Sequence, residues 1–245
     1  MRILNIVCCG LMLMLAFPAA ADLKVEGTRV VLDGSKQGDS IRIGNTGDAP
    51  VMVQTWIDDG DAYAKPETLR VPLATTTPMF RLNPGTRRDI HVRTVESEHL
   101  PRDRESLFWL NILDVPAREA DGNRAAIEQA VHWRLKVFHR PAGLSGKPEA
   151  AIDALKWEIR RSTSGALVLH ARNPSAYFVS LRKVVLNENP VAVSAVDAAV
   201  PPYDEWSQGL DEAQVVLPSD PLLQITWIDD EGRLHQWSGQ AVNGL

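Results

Sequence analysis

Between residues 125 and 138 nearly every second side chain is apolar: Ala125, Ile127, Val131, Trp133, Leu135 and Val137, with Glu128, His132, Arg134 and Lys136 interleaved. A period of two marks a β-strand with one apolar and one polar face. At about 3.3 Å per residue the run would extend roughly 46 Å, against about 17 to 20 Å for an ordinary strand. A small sandwich cannot cover an apolar face of that length with its own core. This stretch therefore demands a β-rich fold in which one strand outruns its sheet and has surface to spare for something else.

Short apolar or alternating runs recur along the rest of the chain with turn signals between them, and no long segment carries a 3.6-residue period, so the class is all-β. In the first half the spacing predicts strands over 23–32, 40–45, 51–57, 79–82, 88–94, 107–113 and 125–138, a pattern that suggests an immunoglobulin-like sandwich. Gly44-Asn45-Thr46-Gly47-Asp48 and Asn83-Pro84-Gly85 supply turns. The stretch Pro141-Ala142-Gly143-Leu144-Ser145-Gly146-Lys147-Pro148 cannot continue a strand ladder. It sets the expected boundary between a first domain over 22–142 and a second over 149–245. In the second domain strands are expected over 155–160, 166–171, 178–186, 191–196, 214–217, 222–228 and 233–237, the last two joined as a hairpin through Asp229-Asp230-Glu231-Gly232.

At the N-terminus, Arg2 is followed by an apolar run from Ile3 to Phe17, then Pro18 and the small residues Ala19, Ala20 and Ala21 before Asp22. That three-part pattern predicts a secretory signal peptide, residues 1–21, cleaved after Ala21. The run falls short of the about 20 apolar residues of a membrane span, so no membrane insertion is expected. Cys8 and Cys9 are the only cysteines and would leave with the leader, so residues 22–245 carry none. Cysteine nucleophiles, thiol redox chemistry and cysteine metal sites are thereby excluded, and an exported protein of this kind must be stable through its core alone. Losing Arg2 takes the formal charge from -5 to -6, with no basic block, which argues against nucleic acid as a partner.

Signatures of catalysis are missing. There is no G-x-S-x-G elbow, no H-E-x-x-H and no G-x-G-x-x-G, and Gly146-Lys147 is followed by proline rather than by the Ser/Thr of a phosphate loop. The histidines His91, His99, His132, His139, His170 and His235 lie at no metal-ligand spacing, and the acidic groups Asp58-Asp59-Gly60-Asp61 and Asp229-Asp230-Glu231 read as solvated turns. No enzyme activity, cofactor or metal is expected. Two cations stand out instead: Arg29, inside the apolar first strand, and Lys136, near the end of the long one. By periodicity alone each is an ordinary solvent-facing strand residue. A pair of cations at a cleft could instead hold a carboxylate, arginine with a bidentate grip and lysine as a point charge, but strand pattern does not say whether the two meet.

Several ordered segments carry a resemblance. Leu100-Pro101-Arg102-Asp103-Arg104-Glu105-Ser106-Leu107-Phe108-Trp109-Leu110-Asn111-Ile112 leads to Val115-Pro116, and Arg134-Leu135-Lys136-Val137-Phe138-His139-Arg140-Pro141 follows. Thr28-Arg29-Val30-Val31-Leu32, Leu82-Asn83-Pro84-Gly85 and Asn173-Pro174-Ser175-Ala176-Tyr177-Phe178 fit the same order. Across about residues 23 to 230 the chain resembles the periplasmic chaperones of the chaperone-usher pilus pathway. The resemblance implies two immunoglobulin-like domains set at an angle, with a cleft that holds a pilus subunit and delivery of that subunit to an outer-membrane usher. The subunit is an incomplete sandwich lacking its last strand, and the long strand would complete it by β-augmentation. By position Ala125, Ile127, Gln129 and Val131 would enter the subunit groove, with Gln129 departing from the family's large apolar residues there. Arg29 and Lys136 would bind the subunit's C-terminal carboxylate, and Glu105, Arg140 and Asp230 would form an interdomain charge network. His139 stands where the family usually carries tyrosine. The short connection between Pro116 and Ala125 resembles the short-loop branch of the family, with an archaic-type branch and self-capping dimers of the free protein left open. The competing reading is an exported immunoglobulin-like adhesion or carbohydrate-binding module using aromatics such as Tyr203, Trp206 and Trp237.

Overall fold

The computed structural model describes residues 23–96, 98–116, 130–194, 198–211 and 218–245, and within them the chain is built from two successive β-sandwiches. The first contains β1 (Leu23–Glu26), β2 (Arg29–Asp33), β3 (Asp39–Asn45), β4 (Val51–Asp58), β5 (Leu73–Thr75), β6 (Met79–Leu82), β7 (Arg87–Thr94), β8 (Ser106–Pro116) and β9 (Val131–Arg140). One sheet runs β1-β3-β7-β5 and the other β2-β9-β8-β4-β6. Period-two alternation builds the core between them. On β4 the side chains of Val51, Val53, Thr55 and Ile57 are buried while Met52 is exposed, and on β9 Leu135 and Val137 join Leu110 and Ile112 of β8.

The single first strand expected over 23–32 is two strands in two different sheets. β1 pairs with β3 in one sheet, and β2 runs parallel to β9 in the other. The change of sheet occurs at Gly27 and Thr28, where Gly27 has φ of 141°. A side chain in that conformation would be strained, and a Cβ there would also lie 3.2 Å from Ile41 Cδ1. Periodicity continues straight through this break, which is why it reads as one strand.

The second sandwich contains β10 (Lys156–Arg161), β11 (Leu167–Arg172), β12 (Val179–Leu186), β13 (Asn189–Val191), β14 (Ala199–Val200), β15 (Glu205–Gly209), β16 (Leu222–Ile228), β17 (Leu234–Gln240) and β18 (Val242–Asn243). Its sheets run β15-β11-β10-β18 and β13-β12-β16-β17, with β14 also paired to β12. Trp157 and Trp206 meet edge to face in its core, with ring centroids 6.2 Å apart. The Pro/Gly/Ser stretch from Pro141 leads into a 3₁₀ turn, Pro148–Ala150, and one helical turn, Ala151–Ala154. Of the strand expected over 191–196 only Val191 is in a strand, as the last residue of β13; residues 192–194 are not, and 195–196, like the strand expected over 214–217, lie outside the described residues. The short strands β5, β14, β15 and β18 carry too few residues to show a period.

Of the aromatics offered for the adhesion reading, Trp206 is buried and Trp237 packs on the core, where its Nε1 donates to Asp153 at 3.1 Å. Only Tyr203 is exposed, and the Arg104 guanidinium covers its ring at 5.1 Å. Leu110, at 0% exposure between the first pair of sheets, is expected to destabilise the protein by about 2 to 5 kcal/mol on Leu110→Ala. Chemical denaturation checks this: the midpoint should fall with an unchanged slope.

Candidate functional site

The parallel pairing of β2 with β9 begins at a definite point. Arg29 is the first residue of β2, and its register partner on β9 is Lys136. Beyond that point β2 covers β9 only from Lys136 to Arg140, because Gly27 has already taken the chain to the other sheet. Residues 131–135 of β9 pair with β8 on one side and with no strand on the other among the described residues. The two cations therefore mark the place where an open strand edge starts. Val131 is half-buried at the far end of that edge, while Ala125, Ile127 and Gln129 lie outside the described residues.

Both cations reach across to the second domain. Arg29 Nη1 donates to the Ile228 carbonyl at 3.1 Å, and Lys136 Nζ to the Ala198 carbonyl at 3.4 Å. Those carbonyls lie on either side of β12: Ile228 is the register partner of Ser180, and the Ala198 carbonyl also accepts the Leu181 N–H at 2.8 Å. Lys136 is 9% exposed and lies over the Trp109 ring at 5.5 Å. Burial pushes the Arg29 guanidinium below its ordinary value, with the nearby charges of Asp230 and Asp229 pulling it back. Arg29 makes no salt bridge among the described residues, so an incoming anion would supply the contact counter-charge that its surroundings lack. Two cations paired in register at the end of an open edge can together hold a carboxylate.

Glu105, Arg140 and Asp230 come together at the hinge. Arg140 Nε donates to Glu105 at 2.6 Å, and its Nη1 and Nη2 form a two-point contact with Asp230 at 2.6 and 3.0 Å. The other Glu105 oxygen accepts the Phe178 backbone N–H at 2.7 Å, and the Glu105 N–H donates to the Ala176 carbonyl at 2.9 Å. Burial opposes the Arg140 charge, but the hydrogen bonds and charges of Asp230 and Glu105 outweigh it and hold the group above its ordinary value. For Glu105 burial dominates and pushes the carboxyl up, with the Arg140 charge and the Phe178 N–H drawing it partly back. Phe138 and Phe178 pack beside this network with centroids 5.6 Å apart.

The β16–β17 hairpin tip completes the junction. Asp230 comes from it, Ile228 ends the strand leading into it, and a Cβ on Gly232 (φ of 81°) would lie 2.7 Å from Thr28 Oγ1. Asp229 shapes the tip from within: burial alone would raise it, yet hydrogen bonds from His235 and from the Arg233 backbone and side chain bring its pKa from 3.8 down to about 2. The carbonyls of Ile228 and Ala198, the Phe178 N–H and the close seat of Gly232 carry no mark in the sequence, because main-chain groups look alike at every position. Trp109 was legible as part of a motif but not as the ring beneath Lys136.

With this geometry in place, the relatives are consistent. Residues 22–145 match the pili and flagellar-assembly chaperone, PapD N-terminal domain, and residues 150–238 match the pili assembly chaperone PapD, C-terminal domain. The chain belongs to the PapD-like pilus-assembly chaperones, the non-enzymatic chaperones of the chaperone-usher system. It is 38% identical over 179 residues to the chaperone protein FimB/FhaD of Bordetella pertussis, covering 71% of this chain and 72% of that one. It is 31% identical over 231 residues to the chaperone protein HifB of Haemophilus influenzae, covering 93% and 90%. Among solved structures, the YadV chaperone has a TM-score of 0.72 at 28% identity, over 90% of this chain and all of that one. The SafA pilin–SafB chaperone complex of Salmonella enterica matches in fold with a TM-score of 0.75 at 21% identity, over 91% and 98%.

Two outcomes follow from the network and the tip. Arg140→Ala leaves Glu105 buried without its cation, and the expected loss is about 3 to 5 kcal/mol, read by thermal unfolding. Asp229 ionises more readily in the folded state, so its contribution is fully present above pH 3.8 and lost as the pH falls through about 2. An acid titration should therefore show an Asp229→Asn variant losing less stability than wild type between those values.

Proposed function

We propose that this protein is exported to the periplasm after cleavage at Ala21, captures pilus subunits that lack a final strand, and holds each by lending it the outgoing part of the long strand. The reading rests on one observation above the others: Arg29 stands opposite Lys136 where the open edge of β9 begins. A client strand laid on that edge occupies the position that β2 would have filled had the chain not changed sheets. For its C-terminal carboxylate to land on the cation pair it must run parallel to β9, as β2 does. Main-chain hydrogen bonds would then supply affinity along the edge, and Ala125, Ile127, Gln129 and Val131 would fill the subunit groove. The anchored end would fix register, because a one-residue slip reverses every side chain. Glu105, Arg140 and Asp230 serve to hold the two domains at the angle that puts Ile228 and Ala198 beside the cations.

Delivery to an outer-membrane usher needs a second surface that stays free while the cleft is occupied. Met52 and Val115 are register partners on the outer face of the first sandwich, Met79 on β6 pairs with Gln54 two residues along β4, and all three are exposed. Such a patch, well away from the cation pair, is suited to a further protein contact.

Arg29→Ala and Lys136→Ala are each expected to yield folded protein that no longer retains subunits. Charge-assisted hydrogen bonds contribute about 1.5 to 3 kcal/mol, so each variant should bind a subunit roughly ten- to more than a hundredfold more weakly. Co-purification of a co-expressed subunit at the wild-type level with either variant would sink the reading.

A further inference from the structure

If one client strand engages both the cation pair and the donor row, the segment of β9 between Val131 and Lys136 is a spacer, about 17 Å of chain whose length must not vary. The core face cannot fix that length. Trp133, Leu135 and Val137 recur at every second position, so alternation forbids a slip by one residue but tolerates a slip or bulge by two. Turn geometry cannot fix it either, because fourteen residues separate the end of β8 at Pro116 from the start of β9 at Val131. Arg140 holds the hinge end of the strand through Glu105. Something else must hold the outgoing end.

The outer face of the sheet carries it. Arg134 reaches over the Trp109 ring, 4.2 Å from guanidinium to ring centroid, and across β8 to Asp58 at the end of β4. Its Nη2 donates to Asp58 at 2.6 Å and to the Gly60 carbonyl at 2.9 Å, and its Nε lies 3.3 Å from the second Asp58 oxygen. Asn111 on β8 also donates to Asp58, at 2.6 Å, and its own oxygen pairs with His132 Nε2 at 2.8 Å. His132 in turn stacks on Trp56 of β4, with centroids 5.3 Å apart. Asp58 is 1% exposed and Asn111 0%, although both lie on the face turned away from the core. Three strands are thus laced together by a polar chain at the level of the open edge. Neither His132 nor Lys136, brought to the place of Arg134 by a two-residue slip, could reproduce a planar fork on a carboxylate.

We infer that Arg134 and Asp58 are positioning residues for subunit capture: resting on the donor-strand reading above, the pair fixes the span between Val131 and the Arg29–Lys136 anchor, so that a single client strand satisfies both. Neither residue touches the client. Without the brace a client can satisfy the ladder or the anchor, and the terminal carboxylate stops contributing to affinity.

The test uses two synthetic peptides of alternating apolar residues, identical except that one ends in a free α-carboxylate and the other in an amide. They are titrated against the full mature chain as wild type, as Lys136→Ala and as the double variant Asp58→Leu/Arg134→Leu. Replacing a buried ion pair by apolar residues of similar size commonly preserves the fold, which a thermal melt checks. Wild type is expected to prefer the free acid by about tenfold or more, and Lys136→Ala to lose that preference. The folded double variant is expected to bring the acid-to-amide ratio close to one. General destabilisation would weaken both peptides alike and leave the ratio intact, so an unchanged ratio in the double variant overturns the inference. Should the double variant not fold, Asp58→Asn, which keeps the shape of the side chain and removes its charge, must lower the ratio by severalfold, and an unchanged ratio there is equally fatal. A wild-type ratio near one strikes instead at carboxylate anchoring itself, and the positioning role goes with it.

Discussion

Gly27 and Thr28 move the first strand of the protein from one sheet to the other, and most of the site geometry is a consequence of that crossing. Had β1 continued alongside β9, the edge would be fully paired and the sandwich closed. Because the chain leaves, β9 is covered only from Lys136 onward, and the residue that begins the new pairing, Arg29, falls opposite Lys136. The positive φ of Gly27 and its tight approach to Ile41 allow little latitude in where the crossing happens. One backbone conformation thus opens an edge and places a cation at its end.

The second domain gives these cations their environment. Arg29 and Lys136 each donate to a main-chain carbonyl of that domain, and the hinge is held by an arginine shared between two carboxylates. A carbonyl oxygen satisfies a donor without neutralising it. Arg29 is thus ordered and partly desolvated with no direct ion pair among the described residues, a state that favours an anionic ligand over a neutral one. The ion pairs that do form at the junction tie β9 to the β16–β17 hairpin tip through Arg140, while Asp230 and Asp229 act on Arg29 only through space.

Much of this was legible in residue order. The alternation over 125–138, the turn clusters and the lack of any helical period pointed to sandwiches, and the resemblance placed Arg29, Lys136, Glu105, Arg140 and Asp230 in one region. The structure pairs the first two in register on neighbouring strands and joins the other three in one network. What periodicity could not convey was the break at Gly27, because Val25 and Val30–Leu32 keep an apolar character through it. The very short strands β14 and β18 are held by neighbours rather than by their own sequence. Asp58 read as part of a solvated acidic turn, yet it is buried under Arg134, since a loop cluster in sequence says nothing about which strand-end carboxylate a distant guanidinium will cover.

The seat of Gly232 against Thr28 has a mechanical meaning. The hairpin tip lies so near the start of β2 that a single methyl group would already collide with Thr28. The tip cannot come closer to Thr28 unless that side chain turns aside, so on the proposed reading the receptacle for a subunit tail would need little closing before capture.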